Sequence, residues 1–222
     1  MARQSRNIGV NASEDSKAKP GRGRPLAFDR TRAIDAAMRL FWDRGYEGTS
    51  FAELIEAMGI SASTFYNSFG SKEKLFEETV RYYLGRPGGS AIQGILTAPI
   101  DTREAFERLL EATAAEYTRK DLPSGCLVSL SATQTPPDLQ TVREMMVRYR
   151  AVVDYAFTER LKRGIAAGDL PADTDAKQLA GFFATLFRGM AVQARDGKSR
   201  NYLAAVGKIA MRAWPGKTAS EP

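Results

Sequence analysis

From Asp29 onward, apolar positions recur at helical spacing. Ile34, Ala37, Met38 and Phe41 stand at i, i+3, i+4 and i+7, one face of a 3.6-residue period. Asp29 suits the N-cap of that helix and Gly45 its stop. A second helix opens at Thr49 or Ser50, with Glu53 placed three residues beyond Ser50 as in a capping box, and stops at Gly59. A third runs from Ser61 to about Phe69 and closes at Gly70. Ser71 caps a fourth, with Leu75, Phe76, Thr79 and Val80 along one side. Residues 102–120 carry Phe106, Leu109, Leu110, Thr113 and Tyr117. A short apolar segment surrounds Cys126, and residues 138–166 repeat the pattern from Val142 to Leu161. Leu179 to Met190 and Tyr202 to Ala213 close the series. No segment alternates with period two for long, so the pattern predicts an all-α chain of about nine helices.

The breaks in the pattern suggest domains. Residues 1–24 are polar and aperiodic and read as a flexible basic tail. Gly85-Arg86-Pro87-Gly88-Gly89-Ser90 is the clearest breaker cluster, so boundaries are expected at 25–84 and 85–222. No run of 18 apolar residues exists, and the N-terminus has no apolar core of a secretory signal. A cytoplasmic protein with no membrane partner is expected.

Charge and composition sharpen this. Lys and Arg number 32 against 26 Asp and Glu, a net +6. Residues 1–32 hold eight Lys/Arg against three Asp/Glu, so most of the net charge sits at one end and favours an anionic partner. The chain has no histidine and one cysteine. That excludes Ser–His–Asp and Cys–His catalysis, histidine-ligated metals, four-cysteine metal sites and an intrachain disulfide. No metal or cofactor is expected, and no phosphate-binding loop points to an enzyme.

Helices two and three, joined by Met58-Gly59-Ile60-Ser61, form a helix-turn-helix. Ala52, Leu54, Ile55 and Met58 give the first helix its apolar face, Gly59 permits the turn, and Phe65 and Phe69 anchor the second helix. Ser63, Thr64, Tyr66, Asn67 and Ser68 are left facing outward. They are short or planar polar groups suited to base edges and phosphates, on a helix sized for the major groove.

The stretch from Arg32 to Leu84 resembles the DNA-binding domain of the TetR/AcrR family of bacterial transcriptional repressors. The resemblance rests on Ala33-Ile34-Asp35-Ala36-Ala37, Leu40-Phe41, Gly45-Tyr46-Glu47-Gly48-Thr49-Ser50, Gly59-Ile60-Ser61, Thr64 to Phe69 and Ser71 to Phe76. It implies an N-terminal three-helix helix-turn-helix domain followed by a larger α-helical effector and dimerisation domain. It also implies a ligand-responsive regulator that binds a pseudo-palindromic double-stranded DNA operator as a homodimer. Tyr66, Lys72 and Thr49 match phosphate-contacting positions; Ser61, Ser63, Thr64 and Asn67 match the recognition surface. Ser68 stands where the family often has His, and Ser63 where it often has Gly or Ala, which leaves the operator sequence open. Residues 189–214 resemble the last two helices of many members.

Other features carry two readings each. Arg22-Gly23-Arg24-Pro25 resembles an AT-hook core, in which arginines enter a narrow A·T minor groove; otherwise it is a solvated tail. Cys126 is either a small buried hydrophobe or an oxidant or electrophile sensor. Tyr117, Cys126, Met145, Tyr149, Phe183 and Phe187 either line a cavity for a mostly apolar or aromatic small-molecule effector or simply form core. Phe182, Leu186, Met190, Tyr202, Val206 and Ile209 are candidates for the dimer interface. The competing function is an architectural, nucleoid-type DNA binder without a small-molecule effector.

Overall fold

The computed structural model describes residues 28–133 and 136–216. Among these lie ten α-helices and no strand: α1 (Arg30–Arg44), α2 (Phe51–Met58), α3 (Ala62–Phe69), α4 (Lys72–Leu84), α5 (Pro87–Thr97), α6 (Thr102–Tyr117), α7 (Leu127–Leu130), α8 (Gln140–Ala166), α9 (Ala176–Arg195) and α10 (Arg200–Ala210). Single 3-10 turns at Pro137–Leu139 and Met211–Ala213 precede α8 and follow α10. The all-α expectation holds, with α5 added.

Helix α5 starts inside the cluster expected to break the chain. Pro87 takes the first helical position, where a missing N–H is harmless. The two glycines that follow are there for space. A Cβ at Gly89 would collide with the Leu84 carbonyl, whereas one at Gly88 would meet the Glu116 carboxylate, the far end of a side chain that can swing aside. They let α5 pack tightly beside α6 and the end of α4.

The first four helices share an aromatic core. Phe41 and Tyr46 close on Phe76 at 5.0 and 5.1 Å between ring centroids. Each such ring, once buried, contributes about 1.5–3 kcal/mol of hydrophobic stabilisation. Helices α1 and α4 pack against each other, as do α8 and α9, and α6 lies against α5, α9 and α10. Arg195 of α9 reaches across to the end of α1, where it donates to the Trp42 and Asp43 carbonyls, the latter at 3.1 Å. A cation thus meets the carbonyl end of α1, where the helix dipole is negative, and ties the first helices to the rest. Arg39 of α1 adds a 2.9 Å bond to the Asp121 carbonyl.

Candidate nucleic-acid interface

Local sequence fixes the geometry of α2 and α3. The Ser50 hydroxyl accepts from the Glu53 N–H at 3.2 Å, while the Glu53 carboxylate accepts from the Ser50 N–H at 2.8 Å. Gly59 turns the chain with φ +65°, a conformation that costs a Cβ-bearing residue energy. The Ser61 hydroxyl then accepts from the Thr64 N–H at 3.1 Å and starts α3. Phe65 is fully buried and meets Phe51 edge-on at 4.9 Å, with Phe69 buried one turn on. Ala52, expected on the inner face of α2, is exposed, and Phe51 supplies that packing.

This footing leaves a polar face outward. Ser61, Ser63 and Asn67 are exposed, with Ser63 and Asn67 at i and i+4 on one side of α3. Thr64 is half-buried, and its hydroxyl shares the Ser61 hydroxyl at 2.9 Å. Tyr66 is 57% exposed, yet its ring stacks on Phe51 at 5.3 Å with 26° between planes. Phe51 therefore fixes where the Tyr66 hydroxyl points. The sequence signal for this was available: Phe51 lies three and four residues before Leu54 and Ile55.

Lys72 is the first residue of α4, beside the Ser71 cap. Its ammonium sits over the Tyr46 ring, 4.3 Å from the centroid. Burial lowers its pKa, and the neighbouring carboxylates of Glu47, Glu73 and Glu53 oppose that shift. The Tyr46 hydroxyl donates to Glu73 at 2.8 Å. Hydrogen bonds from the Ser71 hydroxyl, the Glu73 backbone N–H and Tyr46 hold the Glu73 carboxyl below its ordinary value. Burial and Glu73 push the Tyr46 phenol well up, so it stays a neutral donor.

Thr49 departs from expectation. Its side chain is fully buried and its hydroxyl donates to the Gly45 carbonyl at 2.7 Å, so it has no surface to offer a phosphate. Arg22 and Arg24 lie outside the described residues.

A cavity of about 250 Å³ opens in the second half of the chain, between α4, α5, α6, α7, α8 and α9. Tyr83, Tyr117, Cys126, Val153 and Phe187 are among its walls. Three of the six residues expected at a ligand site therefore face it. The other three do not. Phe183 packs on Phe106 at 4.7 Å in the core, Met145 is buried in α8 away from the cavity, and the Tyr149 hydroxyl accepts from Arg81 at 3.2 Å, joining α8 to α4. Tyr83, missed in the sequence, lines the cavity on one side and meets Trp42 of α1 edge-on at 4.9 Å on the other.

Helices α9 and α10 present a separate apolar surface. Phe182, Tyr202 and Ile209 are 43%, 46% and 62% exposed, and Leu186 and Val206 are half-buried. Gly181 and Gly189 face open space on the same helix. Met190, expected at the dimer interface, is not part of this surface: it is 1% exposed and packs inside the protomer.

A capped helix-turn-helix with a polar outer face, followed by a helical body that holds a cavity, defines a DNA-binding transcriptional regulator. Comparison with known proteins makes this specific. Residues 33–79 match the model of bacterial regulatory proteins of the tetR family, and residues 104–209 match the tetracyclin repressor-like C-terminal domain. The chain belongs to the tetR family. It is 34% identical over 197 residues to the transcriptional repressor ComR of Escherichia coli, covering 89% of this chain and 94% of the relative. To the repressor BdcR of Escherichia coli it is 27% identical over 193 residues, covering 85% and 90%. Among solved structures, a cysteine-substituted form of the regulator CifR, in complex with a 26-bp operator duplex, superposes with a TM-score of 0.82. That likeness has 47% identity and covers 86% of this chain and all of the other. Among the described residues, no helix is long and apolar enough to cross a membrane.

Proposed function

We propose that this protein is a cytoplasmic, ligand-responsive transcriptional repressor that binds a pseudo-palindromic operator as a homodimer. The observation that carries the reading is the outward polar face of α3, held by Phe65 and Phe69 beneath and flanked by Tyr66 and Lys72. In it, α3 enters the major groove and Ser61, Ser63, Thr64 and Asn67 meet base edges and nearby phosphates. Tyr66 and Lys72 hold phosphates, with the N–H groups at the start of α4 adding their dipole. Arg22 and Arg24 of the tail add minor-groove contacts. Residues 25–84 act as the DNA-binding domain and residues 85–222 as the ligand-binding and dimerisation domain. ComR and BdcR, named as repressors, and CifR, seen on operator DNA, support the reading.

The apolar surface of α9 and α10 supports dimerisation there. Two such helix pairs across a two-fold axis form a four-helix bundle, and the glycines at 181 and 189 allow close approach. The cavity is the effector site in this reading. A ligand releases DNA only as far as it prefers the non-binding dimer geometry. The Tyr83–Trp42 contact and the Arg195 bonds to α1 are the physical links between cavity and DNA-binding helices.

DNase I footprinting of the DNA just upstream of the coding region, with light scattering for mass, tests this. One protected inverted repeat and a dimer are expected. Broad protection without a discrete site would favour the architectural binder instead, and a monomer at micromolar concentration would remove the dimer.

A further inference from the structure

Within the cavity, one polar atom stands apart. The Tyr117 hydroxyl is buried, with the residue 1% exposed, and has no hydrogen-bond partner. Cys126 and Ser129 flank it without closing a bond of proper geometry. Leaving such a donor unmade costs about 1–3 kcal/mol, so its presence in a fold asks for a partner. The charged groups around the cavity are already engaged. Glu116 takes a bond from Arg119 at 3.3 Å, Arg188 pairs with Asp154, and Arg150 donates to the Val128 and Ser131 carbonyls at 3.2 and 3.0 Å. Only Arg150 keeps a charge that no carboxylate neutralises, and it is turned to those two carbonyls; the remaining walls are mainly apolar. The volume of about 250 Å³ falls just below the range of roughly 300–1,000 Å³ typical for drug-sized molecules. Burial also drives the Tyr117 phenol well above its ordinary pKa, which keeps the donor proton in place.

We propose that the effector is a small neutral, largely apolar molecule with one hydrogen-bond acceptor oxygen, a ketone-like group that takes its hydrogen bond from the Tyr117 hydroxyl. This rests on the proposed reading of the cavity as the effector site. The apolar walls supply affinity and the single donor sets orientation. Tyr83 borders the same space and touches Trp42, so an occupant that seats against both phenols sits next to α1.

Two matched pairs of probes differ only in C=O against C=CH2: cyclohexanone with methylenecyclohexane, and acetophenone with α-methylstyrene. Dissociation constants are measured by ligand-observed NMR on the full chain, wild type and Tyr117→Phe. The variant should hold or raise its melting temperature, because it removes a buried group that lacks a partner. It should weaken each ketone about three- to tenfold, the worth of a neutral hydrogen bond, and leave each alkene within twofold. Equal changes for ketone and alkene, no change for either, or no ketone binding at millimolar concentration would overturn the proposal. Operator affinity of the ligand-free protein is measured on the same samples. Its absence counts against the regulator reading alone. Ketone binding that follows the expected pattern but never releases operator upholds the cavity chemistry and counts against its role as the effector site.

Discussion

Lys72→Ala tests the phosphate contact assigned to the start of α4. In the free protein the ammonium lies 4.3 Å from the Tyr46 centroid, a cation–π contact worth about 0.5–1 kcal/mol. Partial burial of the charge offsets that gain, as its lowered pKa shows. Folding stability should therefore change by less than about 1 kcal/mol. The DNA effect is larger and has a distinct form. Each phosphate neutralised contributes about 0.9 to the slope of log affinity against log salt. A dimer loses two contacts, so the slope should flatten by about 1.8. Between about 50 and 200 mM KCl the wild type should then lose roughly tenfold more affinity than the variant. Fluorescence anisotropy on labelled operator and scrambled duplexes reads both. Loss should be equal on the two duplexes, because a phosphate carries no sequence. A wild-type slope, or a loss confined to the operator, would refute the assignment.

Phe65→Ala removes the buried ring under α3 and should cost about 3–5 kcal/mol in urea denaturation, with operator binding lost alongside; a cost under about 1 kcal/mol would show that α3 does not rest on it. The Glu73 carboxyl is held below its ordinary value of 4.5 by hydrogen bonds, so the folded state binds fewer protons than the unfolded state as the pH falls. Its stabilisation is present above the unfolded value and is lost as pH drops through the folded one. Glu73→Gln should thus flatten the fall in stability below about pH 5, and an unchanged acid limb argues against those bonds. Replacing Arg22 and Arg24 together by Ala should weaken operator binding without moving the footprint centre; unchanged affinity at physiological salt would make the segment a solvated arm.

The helix-turn-helix was legible because its signals are local. Asp29, Ser50, Ser61 and Ser71 all cap the helices they were expected to cap, and the apolar positions of α1 and α4 are buried. What failed depends on packing partners and on which way a side chain turns, neither of which the pattern carries. The Gly88-Gly89 pair reads as a breaker until Glu116 and Leu84 are beside it. Thr49 matches a phosphate position, but its hydroxyl turns inward to Gly45. Periodicity marks Phe183 and Phe187 alike as apolar; only packing sends the first into the core and the second to the cavity wall. Met190 shares the α9 stripe with Phe182, yet a rotation of some 80° around the helix separates buried from exposed.

Sequence reading is the role proposed for the outer face of α3. The direct test is the operator-to-scrambled affinity ratio of Ser63→Ala with Asn67→Ala, compared with wild type across a salt titration. A preserved salt slope and a loss of roughly 1–3 kcal/mol of discrimination per half-site are expected. Equal weakening on both duplexes, or an unchanged ratio, would contradict that role.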